Sequence, residues 1–336
     1  MPTRPCLSTV VYTSASTLPP NVWEAFSSNP RSSNIMYAHA LKTYQQELAG
    51  APAIQGQYWI VCSVNNHIEL VLSCTENFLD SYPVFIFSTR PHSELTPKYI
   101  HPLVHSLALT LLDTVPTHRV YSVFAPEPIT NIFVALWSEL TGISPEQTPY
   151  YAAHLTYCTR ATLSDRRQTI CSNAIFDLRL AEREDEREVA ELCFGFAAES
   201  EPFTLTPQEA WEEAAMMIQN KLVWVHRILE GGVSSIASIA CVTRTTDTVA
   251  AITKVYTNPK FRRRGCAERL TRRVARHLLK TKESVILYVA HDNPAASKVY
   301  HRVGFLGLAA KSPVMDGVDK WLEVGFDRSR VELGHW

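Results

Sequence analysis

No stretch of the 336 residues approaches the roughly 20 consecutive apolar side chains that a membrane-spanning helix needs. The start, Met1-Pro2-Thr3-Arg4-Pro5, lacks the apolar run that marks a secretory leader. A dominant charge sign is missing too: 32 Lys and Arg against 33 Asp and Glu leave a formal net charge of −1. Nucleic acid, whose phosphates demand a basic surface, is therefore not an expected partner. The eight cysteines, at 6, 62, 74, 158, 171, 193, 241 and 266, include no Cys-x-x-Cys pair, so neither a zinc site nor a dithiol redox centre is indicated. Most lie in apolar surroundings and are expected as small buried hydrophobes. The Gly-x-x-x-x-Gly-Lys-Ser/Thr nucleotide loop and the Gly-x-Gly-x-x-Gly dinucleotide fingerprint are both absent. These absences leave a reducing, cytoplasmic setting as the expectation, with no membrane partner and no metal.

What is present is an ordinary globular balance, 46% hydrophobic and 19% charged, at a length that suggests about two domains. Strand-like runs stand at Tyr58–Val64, 68–74 and Val84–Ser88, followed by a helical run over 97–112. A strand at 120–124, a helix at 129–140 and a strand at 151–157 complete the first half. A polar stretch over 161–172 reads as the linker, giving domains at 1–165 and 166–336. The second half reads as strand Ile175–Leu180, helices 185–197 and 207–220, and strands 222–229, 235–243 and Val249–Thr257. Helix 266–280, strand 285–290, helix Pro294–Val303 and a last strand near 321–326 follow. Strands bracketed by helices in this order give an α/β fold with a mixed central sheet.

The most informative segment runs Val255-Tyr256-Thr257-Asn258-Pro259-Lys260-Phe261-Arg262-Arg263-Arg264-Gly265-Cys266-Ala267-Glu268-Arg269-Leu270. A β-rich run ends at a proline, three arginines follow, and Gly265 opens an amphipathic helix with Ala267, Leu270, Val274 and Leu278 on one face. Glycine lets the backbone turn tightly and approach a ligand. The first amides of the helix then point outward at the positive end of its dipole, which suits phosphate or diphosphate. Further on, an apolar strand ending at Ala290 leads into His291-Asp292-Asn293-Pro294, then Ser297, Tyr300 and Gly304-Phe305. Asn293 reads as a cap and Pro294 as the first helical residue.

Arg262-x-x-Gly265-x-Ala267 resembles the Arg/Gln-x-x-Gly-x-Gly/Ala element of the GNAT superfamily of N-acetyltransferases. Asn293, Ser297, Tyr300, Gly304 and Phe305 match that superfamily's second element, and the resemblance covers roughly 174–328. It implies a GNAT-like mixed sheet flanked by helices, with acetyl-CoA as the cofactor. The coenzyme's diphosphate is then expected on the amides from Arg263 through Gly265 and Cys266 to Ala267, with Arg262, Arg263 and Arg264 adding charge. Val255, Tyr256 and Thr257 are expected beside the pantetheine, and the Val255 amide at the thioester oxygen. By the same resemblance Asn293 and Ser297 would bond the coenzyme, although Asn293 as helix cap alone is the other reading. Tyr300 would protonate the departing thiolate; a core aromatic is its plain structural alternative.

The amine acceptor must lose a proton, and the loop Glu199-Ser200-Glu201-Pro202 falls where GNAT folds line their acceptor pocket. Glu199 or Glu201 could hold or deprotonate the amine; exposed loop carboxylates are the alternative. His226 and Lys254 lie on strands and could face the acceptor, and His291 and Asp292 adjoin the second motif; none of the four is assigned a role. The N-terminal α/β domain either is a degenerate GNAT-like copy, since 120–125, Pro128, a helix and Gly142-Ile143 echo the segment from 285 to 305, or matches by chance. It has no counterpart of the arginine–glycine element. The function expected is acetyl transfer to a primary amine of a small molecule. A protein or peptide N-acetyltransferase and a non-catalytic acyl-CoA-binding module are the alternatives, and the oligomeric state is open.

Overall fold

The structure, a computed structural model, describes residues 6–51, 55–76, 81–165, 175–309 and 315–335. Cys171 and most of the expected linker, from residue 166 onward, lie outside the described residues, as does the Met1–Pro5 start. The chain packs as two compact units, one formed by Met1–Leu155 with Asp319–Trp336 and the other by Thr156–Val318.

The first unit opens with strand β1 (Leu7–Tyr12) and helices α1 (Pro20–Ser28) and α2 (Asn34–Leu48). Strands β2 (Tyr58–Val64), β3 (His67–Cys74) and β4 (Val84–Ser88) follow, then α3 (Pro97–Thr114), β5 (Ser122–Pro126), α4 (Glu127–Thr141) and β6 (Tyr151–Thr159). Strands β1 to β4 are antiparallel neighbours, and β4 runs parallel to β5 through Val84↔Val123 and Phe85↔Phe124. The apolar runs of β4 and β5 are buried along their whole length, as expected of strands covered on both faces.

The second unit repeats this order. Strand β7 (Ile175–Leu180) leads to helices α5 (Glu186–Ala198) and α6 (Pro207–Gln219). Strands β8 (Val223–Glu230), β9 (Val233–Thr245) and β10 (Val249–Thr257) come next, then α7 (Cys266–Leu278), β11 (Ser284–Ala290) and α8 (Pro294–Val303). Again four antiparallel neighbours, β7 to β10, end in a parallel pair, β10 with β11. Alternation along the strands divides the core into two layers. Val223, Val225, Ile239, Cys241 and Tyr256 pack with α5 and α6. Trp224, Ala240, Ile252, Val285 and Leu287 pack with Leu270 and Val274 of α7 and with Tyr300 and Val303 of α8.

The strand near the C-terminus, β12 (Asp319–Gly325), departs from the sequence reading, which assigned it to the second half. It lies antiparallel between β5 and β6, pairing Trp321 with Pro126 on one side and Ala153 on the other. Its Trp321 ring meets Phe124 at 5.1 Å and is 2% exposed, so the first unit's core holds it there. Elements β1, α1 and α2 are likewise additions to the sequence reading, which assigned nothing before residue 58. Six of the cysteines, Cys62, Cys74, Cys158, Cys193, Cys241 and Cys266, are buried thiols outside any disulfide. No helix among the described residues is long and apolar enough to cross a membrane.

One glycine decides the end of α8. Gly304 has φ +120°, and a Cβ there would lie 2.1 Å from the Thr162 carbonyl oxygen. The chain at 157–164 is fastened to the same turn by Ser164 N–H on Val303 C=O (2.9 Å) and Leu306 N–H on Tyr157 C=O (3.0 Å). Gly304→Ala is expected to cost about 3 kcal/mol of folding free energy through strain and overpacking; urea unfolding of the variant against the parent checks this.

Candidate active site

The site begins with a fault in β10. Its pairing with β9 slips between Ala251 and Lys254, a bulge that leaves Thr243 and Thr253 out of register. Bulges bend a strand and increase its twist. Strand β11 stops following β10 at that point: their parallel register covers only Val249↔Ser284, Ala250↔Val285 and Ala251↔Ile286. Beyond it β10 keeps β9 as its neighbour on one edge. Asn258 N–H donates to Ala237 C=O at 3.0 Å, which fixes the alternation of that antiparallel ladder. Tyr256 therefore exchanges bonds with Ile239, while Val255 and Thr257 turn their N–H and C=O toward the edge that β11 has left. An extended chain can bond there as a further strand would.

The loop after β10 turns the chain sharply into α7. Asn258 starts it, its side-chain oxygen accepting from Lys260 N–H at 3.0 Å over the single turn Pro259–Phe261. Arg263 takes φ +63° and Gly265 φ +73°. Left-handed conformation at two nearby residues turns the chain tightly before α7. Gly265 is the cap of α7 and has no side chain to satisfy the helix's first amides, whereas Asn293 caps α8 on Ala296 N–H and Thr206 caps α6 on Glu209 N–H. From below, the buried Arg269 donates to the Arg264 carbonyl at 2.7 Å and lies 4.6 Å over the Phe176 ring. His226 is buried nearby, and burial first, then the charge of Arg269, pushes its pKa down to about 4. It is a neutral structural side chain at ordinary pH.

The arginines of the loop differ in their company. Arg262 places Nη2 2.6 Å from Glu199 Oε1, Nε 3.2 Å from the Thr257 carbonyl oxygen, and its guanidinium carbon 5.4 Å from the Tyr256 ring centre. Arg264 grips Glu230 with both terminal nitrogens, at 3.1 and 2.9 Å. Arg263 pairs with no carboxylate among the described residues.

On the α8 side, Asn293 spends its side-chain oxygen on the cap, 2.9 Å from Ala296 N–H. Ser297 is half-buried one turn on. Tyr300 lies within the core layer under α7 and α8, its ring edge-on to Phe305 at 5.9 Å. Burial pushes its phenol above the ordinary pKa, so it keeps its proton throughout the physiological range.

Across the sheet, on the α5–α6 face, β10 presents Lys254 and Tyr256. Lys254 sits 2.6 and 2.7 Å from the two carboxylate oxygens of Glu213 and 5.1 Å from the Phe196 ring centre. Burial works against its ammonium, but the Glu213 carboxylate overrides it and holds the pKa above the usual lysine value. Tyr256 Oη donates to Glu199 Oε1 at 3.1 Å. Burial, then Glu199, raises the Tyr256 pKa. Gly195 makes that approach feasible, since a Cβ on it would stand 2.9 Å from Tyr256 Oη. Sequence reasoning missed Gly195, Glu213, Glu230 and Arg269. Only Gly195 carries a local signal, as an isolated glycine inside a helical pattern. Glu201 is exposed, as are His291 and Asp292.

The second unit thus combines a strand bulge, a parted parallel neighbour and a helix without a side-chain cap after a left-handed turn, and each unit repeats one order of elements. Among solved structures, a tandem GNAT protein from the clavulanic acid biosynthesis pathway covers 95% of this chain with 97% of its own, at 14% identity and a TM-score of 0.53. The fold is that of a tandem GNAT protein. A Drosophila protein covers 95% of the chain with 98% of its own, at 13% identity and a TM-score of 0.61. The GCN5-related N-acetyltransferase of Sphaerobacter thermophilus covers 94% with 94%, at 13% identity and a TM-score of 0.53. Residues 231–312 match the family model described as FR47-like protein. No curated protein matches the chain. At these identities the likeness is one of fold.

Within this GNAT fold the Lys254–Glu213 pair ties the bulged strand to α6 at the residue where the register resumes. Removing one partner leaves the other charge buried without compensation. Glu213→Gln is expected to cost about 3–5 kcal/mol of stability, and Lys254→Met combined with Glu213→Leu to recover most of it. Denaturant unfolding of these two variants against the parent measures both effects.

Proposed function

We propose that the chain is an acetyl-CoA-dependent N-acetyltransferase that acetylates a primary amine of a small molecule by direct attack in a ternary complex. The single observation that carries this is the edge of β10 over Val255–Thr257, left by β11 and running straight into an uncapped, left-handed turn. A thioester arm needs the edge and a diphosphate needs the turn, and here they are consecutive. Bound acetyl-CoA supplies the thioester: the amine nitrogen forms a bond to its acyl carbon and the carbon–sulfur bond breaks.

The residues divide the remaining work. The amides from Arg263 through Gly265 and Cys266 to Ala267 hold the diphosphate, with Arg262, Arg263 and Arg264 contributing charge. Val255 and Thr257 fix the pantetheine along β10 beside Tyr256, and the Val255 N–H meets the negative charge that develops on the thioester oxygen. A preorganised donor of this kind supplies about 3–4 kcal/mol. Asn293 and Ser297 flank the coenzyme at the start of α8, Asn293 through its amide nitrogen because its oxygen already caps the helix. Glu199 pairs with the acceptor ammonium and takes the proton it sheds. Tyr300 gives its proton to the sulfur that leaves, and a phenol kept neutral by burial is in the right state to do so.

A small cationic acceptor suits the discrete charged groups of the α5–α6 face, Glu199 beside Tyr256 and Glu213 beside Lys254. Isothermal titration with acetyl-CoA and thiol release over amine and peptide panels test the reading. Arg264→Glu with Gly265→Asp is expected to abolish coenzyme binding, through opposed charge at Glu230 and a side chain on a left-handed residue; unchanged affinity would place the coenzyme elsewhere. Coenzyme binding without thiol release from any amine would favour a non-catalytic acyl-CoA module.

Tyr300→Phe should lower turnover by about 10²-fold or more while coenzyme affinity stays at the parent value. Because the phenol's pKa is raised, its acid form persists as pH rises. The parent enzyme should therefore show no loss of turnover from Tyr300 between neutrality and about pH 10. A variant as fast as the parent removes the general-acid role.

A further inference from the structure

We propose that Arg262 is a coenzyme-operated latch on Glu199. Without a diphosphate its guanidinium neutralises the Glu199 carboxylate. Diphosphate capture by the loop draws it away and opens Glu199 as the subsite for the acceptor's ammonium group. The inference rests on the coenzyme reading above and adds to it a coupling between the two substrates.

One side chain touches both halves of the site. Arg262 Nε bonds the Thr257 carbonyl, a group that faces the edge left by β11, and Arg262 Nη2 bonds Glu199 on the opposite, α5–α6 face. While it stays there, a pantetheine acceptor group and the acceptor carboxylate are occupied together. Glu199 is also the C-cap of α5, where the negative end of the helix dipole adds to the attraction for a cation. The chain's own guanidinium thus stands where a cationic ligand would. Glu213, the neighbouring carboxylate on this face, is by contrast permanently matched: its partner Lys254 has a side chain only 12% exposed, against 44% for Arg262.

The Glu199 side is held ready when Arg262 leaves. Tyr256 Oη donates to the same carboxylate oxygen at 3.1 Å, and Gly195 provides the space for that hydroxyl. The exchange is cheap, because an exposed ion pair is worth no more than about fivefold in a binding constant. A diphosphate offers more charge than one carboxylate, together with acceptors for the amides of the turn.

Calorimetric titration with CoA, without any acceptor, tests the latch. Glu199→Gln should bind CoA about three- to fivefold more tightly than the parent, having no carboxylate to compete for Arg262. Arg262→Gln should bind it more weakly. Putrescine serves as the cationic probe: saturating CoA should tighten its binding to the parent, by the factor with which putrescine tightens CoA, and should leave its binding to Glu199→Gln unchanged. A Glu199→Gln protein that binds CoA no more tightly than the parent overturns the latch, and so does putrescine binding that ignores CoA in the parent. A parent protein with no affinity for CoA overturns the coenzyme reading itself, and the latch with it, which is a separate result.

Discussion

The parting of β10 from β11 is the constraint on which the second unit depends. Parallel neighbours in a covered sheet gain from continuous pairing, and here it stops after three residue pairs. The bulge between Ala251 and Lys254 explains why, because it turns the later part of β10 with β9 and away from β11. Backbone groups of Val255 and Thr257 are left facing an edge within a fold that otherwise pairs them. Two buried features keep that arrangement from closing up. The Lys254–Glu213 pair anchors the bulge to α6, and Tyr300 with Val289 and Val303 fills the layer between β11 and α8.

The first unit shows what the same topology does without the loop chemistry. Its β4 and β5 also pair in parallel for only two residues before diverging, so the parted pair is a property of the fold. Between β4 and α3, however, the chain reads Thr89-Arg90-Pro91-His92-Ser93-Glu94-Leu95-Thr96, without a glycine to take a left-handed turn. The one arginine is spent on Glu69, at 3.0 and 3.2 Å, with Tyr99 Oη on the same carboxylate at 2.6 Å. Proline at the start of α3 removes a further amide. The two units thus share a frame and differ in the turn that follows its fourth strand, left-handed at Arg263 and Gly265 in the second unit and without a glycine in the first.

How much of this was legible in the sequence follows from range. Strands β2, β4, β7 and β10 and helix α8 begin and end where the residue patterns place them, because apolar alternation and a proline at the first helical turn are local signals. Helix α2 escaped because Asn34 and Thr43 are buried within it, which breaks the apolar stripe that periodicity needs. The partners of β12 escaped for a different reason: strand character is local, but pairing with β5 across about 200 residues is not. In the site, the turn and the helix start were readable from Arg262, Gly265 and Ala267. The carboxylates that hold Arg262 and Arg264 stand 63 and 34 residues away, and only the folded chain brings them to the loop.

Those partners change what the arginines mean. Seven arginines between residues 262 and 276 look like a basic patch in the sequence, yet most are committed inside the protein. Arg269 and Arg272 are buried and brace the carbonyls of Arg264 and Arg302. Arg276 meets Asp165, and Arg273 lies over Trp224. With Arg262 and Arg264 each on a carboxylate, Arg263 is the one loop arginine whose charge is uncompensated by an ion pair among the described residues. On the coenzyme reading proposed for this turn, the diphosphate would therefore rely on backbone amides, which cost no side-chain ordering, more than on uncommitted side-chain charge. A site of that kind would select by shape, because most of the positive side chains around the turn are already taken by the chain's own carboxylates and carbonyls.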